Sequence, residues 1–294
     1  KILIYSLLFF FTSLVINLIF SKNFDLTLPR VLKFILIIGS ILSFKQLVIS
    51  FNKKELNSLY KIWIIIFFIV IVDLIFEIIF KSNIIGLSSK IPGRLSSFTG
   101  KEMIIGHYFS AFCLIAMAYI HLNFKKISIG FFVALFFIIL SFLIGERSNF
   151  FKTLIIVSAF IFFIYEIKLK YKILSFSLII LLFISIISFN EDYKNRYFKQ
   201  FSKVLAKNGL SYYLENSIYG AHYNVAKEIF KDNPAFGIGI KNFRIESFSN
   251  KYDNLNHKFN AQRGNTHPHQ IHYELLAETG LVGYLTFMIF ILIS

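Results

Sequence analysis

The stretch Thr266-His-Pro-His-Gln-Ile-His-Tyr-Glu-Leu-Leu-Ala-Glu-Thr-Gly280 gathers three imidazoles, His267, His269 and His272, at the end of the one long polar segment of a very apolar chain. A neutral imidazole has a reference pKa of about 6.5, so it can take a proton from a hydroxyl at neutral pH. Asn265 or Thr266 can cap a helix whose first turn holds Pro268. On that helix His269, His272, Tyr273, Leu276 and Gly280 follow i, i+3, i+4, i+7, i+11 spacing and share a face. Gln270, Glu274 and Glu278 fall on another. Any one of these histidines can equally be a structural hydrogen-bonder. Two on one turn could also chelate a metal, but neither an HExxH spacing nor a cysteine partner supports zinc, and no metal or other cofactor is expected.

Three further polar positions accompany the histidines. Pro92-Gly-Arg94-Leu-Ser-Ser-Phe98 precedes an apolar run, Gly145-Glu-Arg147-Ser-Asn149 separates two of them, and Asp73 and Glu77 lie one helical turn apart near the end of another. Guanidinium forks bind phosphate oxygens bidentately, and a turn at helix ends adds backbone donors. The plainer reading gives Arg147 a pairing with Glu146 or a lipid headgroup, and Arg94 something similar. Asp73 and Glu77 then read as structural partners of such arginines rather than as acids or bases. Two arginines and a histidine helix on one membrane face would suit a phosphorylated, lipid-linked substrate. The histidine would deprotonate an acceptor and the arginines would hold a departing phosphate.

The elements that must position these groups are set by composition. Of 294 residues, 56% are hydrophobic and only 16% charged, so bilayer is the expected solvent. The net charge of +15 points to anionic membrane lipids or phosphorylated ligands, although many lysines read as snorkelling helix flanks. Nucleic acid is not expected, because the charge is scattered over short loops. The single cysteine, Cys113, excludes an intrachain disulfide. The first apolar run lacks a small-residue cleavage site and reads as a span, and the missing initial Met and the apolar Ile-Leu-Ile-Ser294 read as truncation at both ends.

Runs of about 20 apolar residues place spans near 2–20, 31–50, 61–80, 104–121, 127–144, 151–167, 172–189 and from about 280 onward. The fold class is therefore an all-α polytopic membrane bundle of about eight visible spans. Seven fall within 1–189, residues 190–279 form one large helical extracytoplasmic loop, and 280–294 begin a further span. Alternation puts 21–30, 81–103, 145–150 and 190–279 on one side. The opposite side carries Lys53, Lys54, Lys125, Lys126, Lys168, Lys170 and Lys172, which makes it cytoplasmic by the positive-inside rule. Within the large loop, Ile218, Ala221, Val225 and Ile229 predict an amphipathic helix stopped by Asp232-Asn233-Pro234. Gly237-x-Gly239 lacks a dinucleotide fingerprint's third glycine and reads as a tight turn exposing backbone to a neighbour or a ligand.

With these residues in hand, the chain resembles the bacterial O-antigen ligase and polymerase family of membrane glycosyltransferases over roughly 60–294. The resemblance rests on Asp73-Leu-Ile-Phe-Glu77, Gly93-Arg-Leu-Ser96, Gly145-Glu-Arg-Ser148, Asn233-Pro-Ala-Phe-Gly-Ile-Gly239 and His267-Pro-His269 through Glu278-Thr-Gly280. It implies ten or more helices with a large periplasmic loop in the bacterial inner membrane. It also implies transfer of a glycan from an undecaprenyl pyrophosphate carrier, without nucleotide sugar or metal, to a lipid A-core or a growing glycan. By the matched motifs His269 would be the general base and Arg94 and Arg147 the pyrophosphate ligands. Arg244 and His222 lie in loop stretches similar to the family's, Arg244 as a further phosphate ligand and His222 as a supporting group beside His272, Glu278, Gly280 and Asp73. Gln270 stands where the family usually has Asn. Ligase, polymerase and protein glycosylation share these motifs, with a lean toward ligase, and a non-enzymatic transporter is the alternative from another class.

Overall fold

The structure, a computed structural model, describes residues 2–124, 126–199, 202, 209 and 211–294. Lys125, one of the lysines used to orient the chain, and most of 200–210 in the large loop lie outside the described residues. The chain is all-α, 77% helical, without strand among the described residues. Its apolar helices are α1 (Ile2–Ile19), α2 (Phe24–Ser50), α3 (Lys53–Phe80), α4 (Ile105–Asn123), α5 (Ile127–Ile144), α6 (Arg147–Phe163) and α7 (Leu169–Phe189). A short α8 (Glu191–Tyr193) runs into a π-helical turn, Lys194–Lys199. After it come α9 (Ile218–Asp232), the single turn α10 (Phe243–Glu246) and α11 (Ile271–Ile293).

Among the described residues, seven helices are long and apolar enough to cross a membrane. The remaining expected span, over 151–167, is α6, whose 17 residues lie at the short end of the spanning range of about 17–25. Its polar start, Arg147-Ser-Asn149, lines a cleft. Lys33 and Lys45 stay exposed on α2 and do not interrupt it. The wide exposed apolar surface of α1, α2, α3 and α7 is the lipid-facing pattern of a multi-pass membrane protein.

Phe51–Lys203 form one compact unit. In it α4, α5 and α6 pack on one another, α3 lies against α4, and α7 against α5. Phe67, Phe109 and Phe137 meet at centroid distances of 5.4, 5.5 and 5.8 Å. Farther along α5, Phe142 stacks on Phe183 at 4.1 Å and on Tyr197 at 4.5 Å. The hydroxyls of Tyr193 and Tyr197 donate to the carbonyls of Leu143 and Phe142, so the π-helical turn is tied to the end of α5.

The second unit joins Lys1–Ser50 to Val204–Ser294. Here α1 runs along α11, with Ser13 Oγ 2.8 Å from Thr286 Oγ1 and Phe10 5.5 Å from Phe287. The expected amphipathic helix is α9, and its Val225, Ala226 and Ile229 form a core with Ile238, Phe243, Tyr252 and Ala277. Ile218, assigned to the same buried face, is exposed at the first turn.

The histidine helix expected from Asn265 or Thr266 starts instead at Ile271, and it breaks at Gly280 (φ 65°, ψ −168°), the position from which the last span was expected to run. Two helical hydrogen bonds are lost there and exchanged for hydrogen bonds to the 234–239 loop. Leu281 N donates to Pro234 O (2.8 Å) and Val282 N to Ala235 O (3.1 Å). The carbonyls they leave accept in return, Ala277 O from Ile238 N (3.1 Å) and Glu278 O from Gly239 N (2.8 Å). Asn17 on α1 closes the arrangement, donating to the carbonyls of Phe236 and Glu278 and accepting from Ile240 N. Gly237, at φ 67°, is the expected turn with its backbone against a neighbour, and that neighbour is the Glu278–Gly280 backbone.

A Cβ on Gly280 would stand 2.4 Å from the Ala235 carbonyl carbon, at a φ that L side chains rarely adopt. Gly280→Ala should therefore cost at least about 2 kcal/mol, as expected where both backbone conformation and space are wrong. A lower unfolding temperature of the detergent-solubilised variant is the measurement that checks this.

Candidate functional site

In the unit that contains α9 and α11, the site is an imidazole cluster. His269 precedes α11 and holds a left-handed backbone (φ 60°), so it is not part of the helix. The cap is Gln270, whose side chain accepts from Tyr273 N at 2.8 Å. Asn265 and Thr266 do not cap α11, because the Asn265 side chain is committed elsewhere. Its Oδ1 accepts from Thr266 N at 2.7 Å, while its Nδ2 lies 3.2 Å from His269 Nε2 and 3.5 Å from His222 Nε2. His222 comes from the buried face of α9 and is 2% exposed, whereas His269 is open to solvent.

The His222 and His269 rings are 5.5 Å apart, and Tyr219 stands edge-on to both at 6.1 and 5.3 Å. His267 lies 4.2 Å from His269. Burial first, then the charges of His267 and His222, hold the His269 imidazole below its ordinary pKa. Burial likewise lowers His222, with the Gln262 backbone acting in the opposite sense and His267 in the same one. Both rings are therefore neutral at pH 7. His269 combines a neutral nitrogen with exposure, and that combination can accept a proton from a bound hydroxyl.

In the unit Phe51–Lys203, the site is a cleft of about 310 Å³ lined by Arg94, His107, Glu146, Arg147, Ser148, Asn149 and Arg196. The Gly93 and Gly145 backbones approach so closely that a Cβ on Gly145 would overlap the Gly93 carbonyl, and Leu95 N donates to Ile144 O at 3.0 Å. This contact brings the two arginine loops side by side. Arg94 donates to Glu146 and to the Met103 carbonyl, and Asn149 donates to the other oxygen of Glu146. Arg147, at the first position of α6, is exposed and makes no ion pair among the described residues. Its expected pairing with Glu146 is not formed, because Arg94 and Asn149 already fill that carboxylate.

Asp73 and Glu77 also differ from expectation. Glu77 accepts from Ser96 N (3.0 Å), Ser96 Oγ (3.0 Å) and Ser97 N (2.7 Å), and Asp73 from Ile84 N (2.8 Å) and Ser97 Oγ (2.5 Å). Their partners are the backbone and hydroxyls of the loop that carries Arg94, not an arginine. Ser97 is held at φ 45° and Met103 at φ 49°, so this loop keeps two strained residues.

Arg196 belongs to the cleft and was not found by sequence reasoning. Its Nε donates to Gly145 O. Burial, and next the charges of Arg94 and Arg147, press its guanidinium below the ordinary value, which is the electrostatic mark of three neighbouring guanidiniums. A usable signal was present. The chain has only six arginines among its 31 basic residues, and all six fall in 21–30, 81–103, 145–150 and 190–279.

Of the other expected site residues, His272 bonds Tyr284 Oη at 3.1 Å and does not share a face with His269. Glu278 is buried and accepts from Phe243 N at 3.1 Å, fixing α10, the turn that carries Arg244. Arg244 is half-buried and, among the described residues, makes no hydrogen bond to the imidazoles. Gly280 acts through the helix break. Among the described residues, no group of three or more His, Cys, Asp or Glu side chains is arranged to hold a metal ion.

The sequence model of the O-antigen ligase family matches residues 129–288, more than half of the chain. The chain belongs to the O-antigen ligase family. It is thus a membrane glycosyltransferase of O-antigen ligase and polymerase type, acting on lipid-linked glycans. No curated protein and no solved structure matches it. The family match contains Arg147, Arg196, His222, Arg244 and His269, while Asp73 and Arg94 precede it.

The depressed imidazole pKa values of this O-antigen ligase family member make its stability depend on pH. The folded state binds fewer protons than the unfolded one, so the contribution is complete above about 6.5 and is lost as pH falls through the lowered folded values. On acidification from pH 7.5 to 5, the unfolding temperature in detergent should fall further, or rise less, in the wild type than in His222→Gln, the difference being the imidazole's share.

Proposed function

We propose that this protein is an O-antigen ligase, moving a glycan from undecaprenyl pyrophosphate to a hydroxyl of the lipid A-core. The observation that carries the reading is the cleft of three guanidiniums against a single carboxylate, Glu146. Its residual positive charge suits the oxygens of a pyrophosphate. Arg147 and Arg196 are the principal pyrophosphate ligands. Arg94 adds charge while its bond to Glu146 holds it in place, and Arg244 is a further ligand.

His269 is the general base, with His222, His272, Glu278, Gly280 and Asp73 in support. Attack of the acceptor oxygen on the anomeric carbon breaks the bond to pyrophosphate and inverts that centre. Pyrophosphate is a good leaving group and needs charge stabilisation rather than an acid, so no metal takes part. The site faces the periplasm from the bacterial inner membrane, since the lysine-rich short loops belong to the cytoplasmic side. A polymerase or a protein O-oligosaccharyltransferase would use the same residues with a different acceptor.

His269→Ala in the full-length gene should abolish transfer, leaving core without attached glycan and carrier-linked polymer accumulating, as read by gel with carbohydrate staining. Core bearing a single repeat would make the protein a polymerase, and an unchanged ladder from stably expressed protein would remove His269 from catalysis. Arg196→Ala should weaken donor binding on the order of tenfold or more, the loss of one charge-assisted contact. Arg196→Lys should restore only part of it, because an ammonium lacks the planar fork.

A further inference from the structure

By spacing alone Asn265 is a helix-cap candidate. In the fold it is clamped. Its backbone N–H donates to Ser247 Oγ (3.3 Å) and its carbonyl accepts from the same hydroxyl (3.4 Å), and Ser247 is fully buried. Its side-chain amide has one reasonable orientation. Oδ1 receives the Thr266 N–H at 2.7 Å, so the NH2 group is directed at the two imidazoles. The reversed amide would set NH2 against a backbone donor.

An NH2 group only donates, so the nitrogen it meets on each ring must be unprotonated. We infer that Asn265 is a positioning residue that donates to Nε2 of both His222 and His269, fixes both rings as the neutral Nδ1–H tautomer, and is displaced from His269 by the acceptor hydroxyl. This rests on His269 being the base. Tautomer control by a partner on the far nitrogen is a familiar device of histidine catalysis. Here the partner instead occupies the reactive nitrogen and yields it to substrate.

The proton balance follows from that geometry. The acceptor O–H replaces the amide at His269 Nε2 and hands over its proton as the new carbon–oxygen bond forms. The electron pair of the broken bond leaves on pyrophosphate. The resulting imidazolium carries protons on both nitrogens and cannot accept from Asn265. It loses the Nε2 proton to water, and the amide then returns. His222, buried and bonded to the second N–H, keeps Asn265 in place while His269 is engaged. The titratable groups facing the pair are Tyr219 and His222 from α9 and His267 from the loop before α11.

The test uses full-length protein in detergent with histidine-selective 15N labelling, His222→Gln and His269→Gln providing assignment. Expected are unprotonated Nε2 and protonated Nδ1 on both rings at pH 7.5, and loss of that uniform state in Asn265→Ala. Protonated Nε2 on either ring in the wild type would overturn the inference. Transfer is followed in parallel against pH. Asn265→Asp should move the acidic limb of the profile upward by about one unit, since a carboxylate beside an imidazole favours its charged form. Asn265→Ala should lower kcat about tenfold or more with little change in donor KM. A uniform loss with an unmoved limb would mean a merely structural role. If His269→Ala retained transfer, the base assignment would fail, while the nitrogen measurement would still report on Asn265.

Discussion

In a chain surrounded by lipid, a peptide group released from a helix must find its partner inside the protein, because the hydrocarbon offers none. Both units are organised around that constraint. In one, α3 gives way to the loop bearing Arg94, and the released N–H groups of Ile84, Ser96 and Ser97 are taken by Asp73 and Glu77. In the other, the break at Gly280 passes its backbone hydrogen bonds to the 234–239 loop, and Asn17 and Glu278 take up what is left over. The buried acids and amides of this protein are thus fasteners for irregular backbone. The irregular backbone, in turn, is where the arginines and the imidazoles stand.

Such fastening allows residues to be held in conformations they would otherwise leave. His269, Ser97 and Met103 all sit at positive φ without being glycine. Each is next to a group that could do chemistry, and each is flanked by hydrogen bonds that fix its neighbours. A helix would have given His269 a regular backbone and a face shared with His272. The loop gives it exposure, a tilted neighbour in His222, and a bridging amide.

Much of the architecture was legible in the sequence, because span length and α9's periodicity are local properties. The limits of the reading are instructive. Around Pro268 the pattern allowed several caps, and spacing alone favoured Asn265 or Thr266. The competition was decided by tertiary contacts: Asn265 had two imidazoles to serve and Gln270 had only Tyr273 N. The partners of Asp73 and Glu77 were misjudged for a related reason. Charge invites pairing with charge on paper, whereas in the fold a clustered set of N–H donors was nearer. Arg196 was passed over since it belongs to no motif, and only the chain's sparing use of arginine marked it.

The choice of arginine over the far commoner lysine has its own consequence. Three ammonium groups crowded into one cleft would discharge one another, since a lysine pKa yields readily to burial and like charge. Guanidiniums start so far above neutrality that even the lowered Arg196 stays charged wherever the protein is folded. The molecule thereby divides its electrostatics in two. One unit supplies a permanent field that no physiological acidification can switch off, and in the other, on the proposed reading, proton transfer falls to imidazoles whose charge is brief.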